Sequence, residues 1–296
     1  MSSPLGYFFA ITAGLFNNLG LLLQKKVVNA IPVERREEKF YRTLVKKPLW
    51  LLGFAFEMVV GTLFFLLAQV SVGPALIPGL MASGLIVTAI GASALLGEKL
   101  KASELAGILL LVVAITLLGY SEFIIDVPGY DYLDTSFQTR AFIFTAALSL
   151  LVVAFDVTQR KSQLARGVSL STESGLLFAI SNFWIAPLLG IISHVFTGQF
   201  QVTELLVFVF ACVVLPVTNL FAVGKMQAGF KHGKGSILIP TQQIPMQLAP
   251  IFVYLSVFLL PPPNEYSVTL MLVGVALIVA CTFLLAKRQA EFDELT

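Results

Sequence analysis

The amino-acid sequence contains one long apolar run after another, and this feature constrains the fold more than any other. Nine runs are separated by short polar or charged links, and they cover 5–28, 48–71, 73–96, 102–120, 140–158, 171–196, 203–226, 235–260 and 267–286. A transmembrane helix needs about 20 mostly apolar residues. The chain is 57% hydrophobic and 12% charged, which is far more apolar than one soluble core requires. The sequence therefore predicts an all-α integral membrane protein with about nine transmembrane helices.

The positive charges divide the links between these runs into two classes. Of the 19 Lys and Arg residues, all except Arg140 lie in alternate links, at the ends of the runs that border those links, or in the C-terminal tail. Loops that face the cytoplasm carry an excess of Lys and Arg. We therefore expect the N-terminus outside the cell membrane and the C-terminus in the cytoplasm, as an odd number of helices requires.

The motif G-x-x-L-I-P occurs twice, at Gly73 to Pro78 and at Gly235 to Pro240. The same shift along the chain sets Glu57 against Asn219. Under the expected topology the two copies cross the membrane in opposite directions. Such inverted repeats are a common construction for secondary transporters.

The repeat divides the chain into two predicted halves. The first half, 1–121, has four helices and a charged cytoplasmic loop at 30–47. An extracytoplasmic loop at 122–139 follows, and the second half, 140–296, has five helices. These helices are expected to form an inverted-repeat transporter bundle.

Glu57 is the first candidate for a solute or ion site, because it is the acid that lies nearest the middle of a predicted helix. About ten residues at 1.5 Å each place it roughly 15 Å from the cytoplasmic end, half of a 30 Å hydrocarbon core. A carboxylate at that depth should face the bundle interior or water. Asn219, its mate in the repeat, is expected at a similar depth. The alternative for Glu57 is a hydrogen bond that locks two helices together.

A second group of polar residues lies in the repeat copy that begins at Gly235. Gln242, Gln243 and Gln247 alternate there with Pro240, Pro245 and Pro250. Each proline removes a backbone donor, so the sequence predicts a kinked or broken helix. Freed carbonyls and glutamine amides can bind a cation or a polar solute, although hydrogen bonds between helices explain the amides nearly as well.

Three asparagines are weaker candidates for the same site, and two other polar residues have simpler explanations. Asn17, Asn18 and Asn182 also lie inside apolar runs, where helix packing competes with ligand binding. Asp156 is expected to form a local ion pair with Arg160 at i+4. His194 is expected to make an interfacial hydrogen bond.

The sequence offers no arrangement typical of an enzyme. The basic stretch from Gly229 to Ser236 has three residues between its glycines, whereas a phosphate-binding loop needs four. We find no coherent nucleophile and base and no His/Cys cluster, so no catalytic activity and no cofactor are expected. The predicted partners are the lipid bilayer and a small solute or divalent cation, not nucleic acid. The sequence leaves open whether the protein forms a homodimer.

Several short motifs resemble those of known transporters. The run that closes in Gly97-Glu98-Lys99-Leu100 resembles the EamA-type module of the drug/metabolite transporter superfamily. Across nearly its full length the chain is more similar to the NIPA-like magnesium transporter family. The shared pieces are Leu15-Phe16 through Lys26, Leu76-Ile-Pro78, Asn219 with Lys225, and Ser236 to Pro240. The family's Gly-Glu-x-x-Asn pattern in the second helix is not reproduced, because Glu57 comes roughly one turn earlier.

The resemblance implies a secondary transporter of nine helices that works by alternating access, with Mg²⁺ or another divalent cation as the best specific substrate. Glu57 would then be the metal ligand. One alternative is a proton-coupled exporter of a small polar metabolite or drug, in which Glu57 takes up the proton. A further alternative is a non-transporting scaffold or sensor, although such a protein has no need of an inverted repeat.

The expected topology is directly testable with a tag at each terminus. Probed from outside intact cells, the tag before Met1 should be accessible and the tag after Thr296 should not, because Lys and Arg alternate between the links. Tags that report the same side would overturn the odd helix count.

Overall fold

The computed structural model describes residues 3–29, 46–96, 100–158, 163–230, 232 and 235–294, and all regular structure in them is helical. The helices are α1 (Ser3–Asn29), α2 (Pro48–Val72), α3 (Ile77–Met81), α4 (Gly84–Leu96), α5 (Ala102–Ser121), α6 (Thr135–Thr158), α7 (Gln163–Thr197), α8 (Val202–Phe230), α9 (Gly235–Phe252) and α10 (Ser267–Glu294). Most of the predicted cytoplasmic loop 30–47 lies outside the described residues.

Seven of these helices are long and apolar enough to cross a membrane: α1, α2, α5, α6, α7, α8 and α10. Large apolar side chains such as Ile143, Leu150 and Val153 on α6 are exposed on the outer surface of the bundle. A contiguous apolar exterior of this kind requires a lipid environment. The chain is therefore a multi-pass membrane protein.

The two remaining predicted spans are the two copies of the repeated motif. The first copy is split, because the chain turns at Ala82 and Ser83 between α3 and α4. The second copy, α9, is continuous through its three prolines. The helix is therefore not broken at those prolines, whereas the predicted kink stays a prediction. The departure from α-helix comes after them, where Val253–Val257 forms a π-helical turn. The count of nine spans stays a prediction.

The helix α2 also contains a π-helical segment, at Phe56–Gly61, between two α-helical parts. Its wider turn holds Glu57. Single π-helical turns inside α-helices occur frequently at functional sites. The segment also ends at Gly61, on which the Asn17 side chain of α1 packs directly.

Glycines bring α1 into close contact with two neighbours. Gly20 on α1 and Gly53 on α2 meet backbone to backbone, and Gly14 on α1 lies against Gly84 at the start of α4. Small residues at such crossings allow helix backbones to approach closely in a membrane. Helix α1 therefore fixes the positions of both α2 and α4.

The link between α5 and α6 packs onto one end of the bundle. Phe123, Ile125, Val127 and Tyr132 are fully or almost fully buried there. The Tyr130 hydroxyl donates to the Phe258 carbonyl at 3.2 Å. Burial raises the pKa of Tyr130 and Tyr132, so both hydroxyls stay protonated donors at neutral pH.

Arg140, the one basic residue outside the alternating charge pattern, has a role at this same end. Its Nε donates to the Val257 carbonyl at 2.8 Å, at the close of the π-helical turn that follows α9. The carbonyls at the end of a helix lack intrahelical donors. Arg140 therefore satisfies a backbone group that the end of α9 leaves exposed.

The contact between Gly20 and Gly53 predicts a specific loss of stability. A Cβ at residue 20 would lie 2.5 Å from the Gly53 carbonyl oxygen and 2.7 Å from the Glu57 nitrogen. We expect Gly20→Ala to destabilise the fold by roughly 1–3 kcal/mol, more than the gain of about 1 kcal/mol in helix propensity. Thermal unfolding of the purified protein in detergent should show a lower midpoint.

The matched control is Gly224→Ala on α8, where a Cβ meets nothing within 4 Å. That variant should unfold at the same temperature as the wild type or slightly higher. Equal midpoints for the two variants would contradict the tight crossing of α1 and α2.

Candidate functional site

A cavity of about 320 Å³ lies between helices from before and after the α5–α6 link. Its lining comes from α1, α2, the α3–α4 region, α7 and α9, and consists of Asn18, Phe65, Ile77, Pro78, Met81, Ala82, Leu85, Asn182, Gln243 and Met246. Three residues predicted from the sequence, Asn18, Asn182 and Gln243, therefore meet at one site. None of the lining residues has an ionisable side chain.

The hydrogen bonds of these three amides leave polar groups available to a ligand. Asn18 Nδ2 donates to the Gly14 carbonyl at 3.0 Å, and its Oδ1 accepts from Thr88 Oγ1 at 2.7 Å. Gln243 Oε1 accepts from Gln247 Nε2 at 3.3 Å. Within the described residues, the Gln243 amide nitrogen and the Asn182 side chain have no hydrogen-bond partner. The amide nitrogens of Gln243 and Asn182 are therefore available to a ligand as donors, and the amide oxygen of Asn182 is available as an acceptor.

Gln247 connects the two copies of the repeated motif. It is buried, and its Nε2 also lies 3.3 Å from the Pro78 carbonyl oxygen. The usual donor to that carbonyl would be the Ala82 N–H, which instead bonds to Gly79 at the turn between α3 and α4. Gln247 thus supplies the donor that the break in the first copy removes.

Glu57 lies outside the cavity and holds α1 to α2. Its Oε2 accepts from Gln24 Nε2 at 2.5 Å, and its side chain is only partly buried. This contact matches the alternative in which Glu57 locks two helices. The prediction that Glu57 binds a cation or couples transport stays a prediction.

Asn219, the mate of Glu57 in the repeat, also bonds within its own half. Its Nδ2 donates to Ser181 Oγ at 2.5 Å, which joins α8 to α7, and to the Leu215 carbonyl of its own helix at 2.7 Å. Gln242 Nε2 donates to Ser174 Oγ at 2.7 Å and joins α9 to α7. Glu57, Asn219, Asn17 and Gln242 thus hold helices together and do not line the cavity.

The sequence analysis missed the most buried carboxylate of the described chain. Glu173 on α7 has no exposed side-chain surface, so Glu57 is not the most buried acid. Lys225 Nζ on α8 lies 2.6 Å from Glu173 Oε2 and 2.5 Å from Asp156 Oδ1 on α6. The lysine inside the apolar run 203–226 was the available signal, because a charge there needs a partner.

Asp156 has a partner that the sequence analysis did not predict. Its carboxylate pairs with Lys225 on α8. The predicted ion pair with Arg160 falls on a residue outside the described ranges and stays a prediction. The expected hydrogen bond of His194 is confirmed, since its Nδ1 lies 2.8 Å from Glu204 Oε1. In the part of the chain that the structure describes, no three His, Cys, Asp or Glu side chains come together.

A second cavity, of about 400 Å³, lies between α1 and α5. It is lined mainly by apolar residues and by Tyr7, Thr116, Tyr120 and Glu122, with none of the candidate residues from the sequence. Tyr7 already donates its hydroxyl to the Gly119 carbonyl at 2.9 Å. The amide-lined cavity is therefore the better candidate for a polar ligand.

Comparison of the chain with family models, with curated proteins and with solved structures gives no match. The resemblance to the NIPA-like family accordingly stays a prediction from the residues. The candidate site must be interpreted from its own geometry.

Proposed function

We propose that this membrane protein is a secondary transporter that moves a small polar solute by alternating access, and that the amide-lined cavity holds the solute. The carrying observation is the convergence of Asn18, Asn182 and Gln243 from three helices on one cavity. Polar groups left without protein partners inside an apolar bundle are costly unless they meet a ligand or water. A scaffold has no need of such a site.

The volume of the cavity limits the size of the solute. At about 30 Å³ for each water molecule, a space of 320 Å³ holds roughly ten waters. Sites for drug-sized ligands reach about 1,000 Å³. A metabolite of about ten non-hydrogen atoms fits this space better than a bulky drug.

The absence of charge in the lining favours an uncharged or zwitterionic solute. Carboxamides both donate and accept hydrogen bonds, and Met81 and Met246 give the cavity an adaptable apolar side. A hydrated Mg²⁺ ion also has the right size, but Mg²⁺ usually meets one or two carboxylates. Glu57 does not reach the cavity, so Mg²⁺ is the weaker of the two candidate substrates.

Two contacts support the inverted repeat on which alternating access depends. Gln247 in the second copy of the motif bonds to Pro78 in the first copy. Helices α5 and α10 hold the next matching segments and pack against each other. Gly107 of α5 lies against Leu284 and Leu285 of α10, and Gly274 of α10 lies against Leu118 of α5. Repeat mates that cross in opposite directions suit a two-fold relation between the halves. The nine spans, the drug/metabolite transporter family and an outside N-terminus belong to the same proposal.

The function can be tested by flux into vesicles that contain the purified full-length protein. A panel of neutral, zwitterionic and cationic solutes and Mg²⁺ would be offered on one side. We expect saturable flux of at least one small polar solute. Gln243→Leu should reduce that flux by about tenfold or more, because a lost ligand hydrogen bond removes roughly 1.4 kcal/mol or more of binding.

The matched control is Gln227→Leu, which changes an exposed glutamine of α8 in the same way. That variant should transport like the wild type. Flux of Mg²⁺ alone would contradict the neutral solute class, and unchanged flux in Gln243→Leu would remove the cavity as the solute site.

A further inference from the structure

Three charged side chains meet on α6, α7 and α8, away from the amide-lined cavity. We call Asp156, Glu173 and Lys225 the Lys225 cluster. The lysine ammonium lies between the two carboxylates, 2.5 Å from Asp156 and 2.6 Å from Glu173. The cluster joins three helices through a single lysine, so its charge state affects how those helices hold together.

The members of the Lys225 cluster differ strongly in their access to water. The exposed fraction of the side chain is 50% for Asp156, 24% for Lys225 and 0% for Glu173. Asp156 and Lys225 therefore separate Glu173 from the surface. The two outer members are therefore accessible to water, whereas Glu173 is not.

Glu173 Oε1 is the unusual atom of the cluster. It is buried, and no donor from the described residues reaches it. A buried carboxylate oxygen without a donor is costly as an anion, and a proton at this oxygen removes the cost. The structure therefore contains a buried oxygen that is suited to take up a proton.

Among the described residues, the charged side chains in contact around Glu173 are those of the Lys225 cluster. Several elements pack on α7. Two of them, α9 and the Thr62–Val72 part of α2, carry no titratable side chain in their described residues. Arg140 of α6 and the His194–Glu204 pair lie at the opposite end of the bundle, and Arg166 of α7 is exposed. Lys225 and Asp156 therefore control the charge of Glu173.

The next residue of α7 links the Lys225 cluster to the cavity. Ser174 Oγ accepts from Gln242 on α9, and Gly175 lets the Gln242 carbonyl and Pro245 approach the α7 backbone. Gln242 is followed by Gln243, which lines the cavity. A shift of α7 relative to α9 would therefore move a cavity residue.

We propose that Glu173 is a proton-binding site controlled by Lys225, and that the proton taken up there drives solute movement. A hydronium ion from the aqueous side gives up the proton and leaves a water molecule; the proton forms an O–H bond at Glu173, which turns the carboxylate into a carboxylic acid. Lys225 keeps its protons and its pair with Asp156. The proton site stands on the geometry of the cluster alone, whereas its role in driving transport rests on the proposed function.

The consequence is a change in the helix contacts. With Glu173 ionised, Lys225 holds α6, α7 and α8 together. With Glu173 protonated, the attraction between Glu173 and Lys225 is lost and α7 is released from α8 at this point. Two arrangements of α7 that differ by one proton are what a gradient-driven transporter needs.

The proton can be observed without a transport assay, by infrared difference spectroscopy of the full-length protein in lipid. The carbonyl stretch of a carboxylic acid reports protonation, so spectra are compared over a range from acidic to alkaline pH. We expect the wild type to show a band that disappears as the pH rises and that Glu173→Gln loses. Asp156→Asn and Glu57→Gln should retain it.

Lys225→Met sharpens the test, because without the ammonium the acid form of Glu173 should persist across the range and the band should stop titrating. If Glu173→Gln does not fold, the double variant Glu173→Gln, Lys225→Met serves as the reference, since it leaves no unpaired buried charge. A band that survives in Glu173→Gln, or that disappears in Glu57→Gln instead, would overturn the proton site.

The role in transport has a separate readout. In vesicles, Glu173→Gln should retain exchange of the transported solute across the membrane but lose uptake driven by a pH gradient. If the wild type shows no flux at all, the proposed transport function fails while the infrared band still reports the proton site. If Glu173→Gln keeps gradient-driven uptake, coupling at Glu173 is wrong and transport itself stands.

Discussion

The structure depends on one constraint, that every backbone polar group inside a membrane needs a partner within the protein. The turn between α3 and α4 breaks the regular hydrogen bonding of the first repeat copy and frees the Pro78 carbonyl. Gln247 from the second copy supplies a donor to it, and Ser83 Oγ donates to the Ile11 carbonyl at 3.0 Å. Irregular backbone at membrane depth persists only where protein or a cavity surrounds it. The cavity and the contact between the repeat copies therefore have the same origin.

The protein separates polar recognition from charge. The cavity is lined by neutral amides and apolar side chains, whereas Glu173 and Glu204 pair with Lys225 and His194 at sites of their own and Glu57 is bonded to Gln24. This arrangement avoids the cost of an unpaired ion next to the solute. It also means that a change of charge reaches the cavity through helix contacts, with Ser174 and Gln242 as the connection.

The sequence predicted the helical membrane fold and part of the cavity, because both follow from local composition. Asn18, Asn182 and Gln243 were found as polar residues inside apolar runs, which is a property of single segments. The partner of each polar residue was not predictable, since Gln24 with Glu57 and Ser181 with Asn219 are tertiary contacts. Glu173 was missed because the apolar run was taken to begin at 171, whereas α7 begins at Gln163 and places Glu173 well inside the helix. The prolines of α9 suggested a break that the helix does not have, because neighbouring helices support it.

The central claim is that one amide-lined cavity is reached in turn from both sides of the membrane. The direct measurement uses Met246→Cys, at a residue that lines the cavity but offers the solute no amide, in a chain whose exposed Cys212 and buried Cys281 have been replaced by serine. A membrane-impermeant thiol reagent is applied separately to each side of vesicles that contain the protein. The account predicts reaction from both sides, slowed from both sides by the transported solute. Reaction from one side only, or from neither, would contradict alternating access at this cavity.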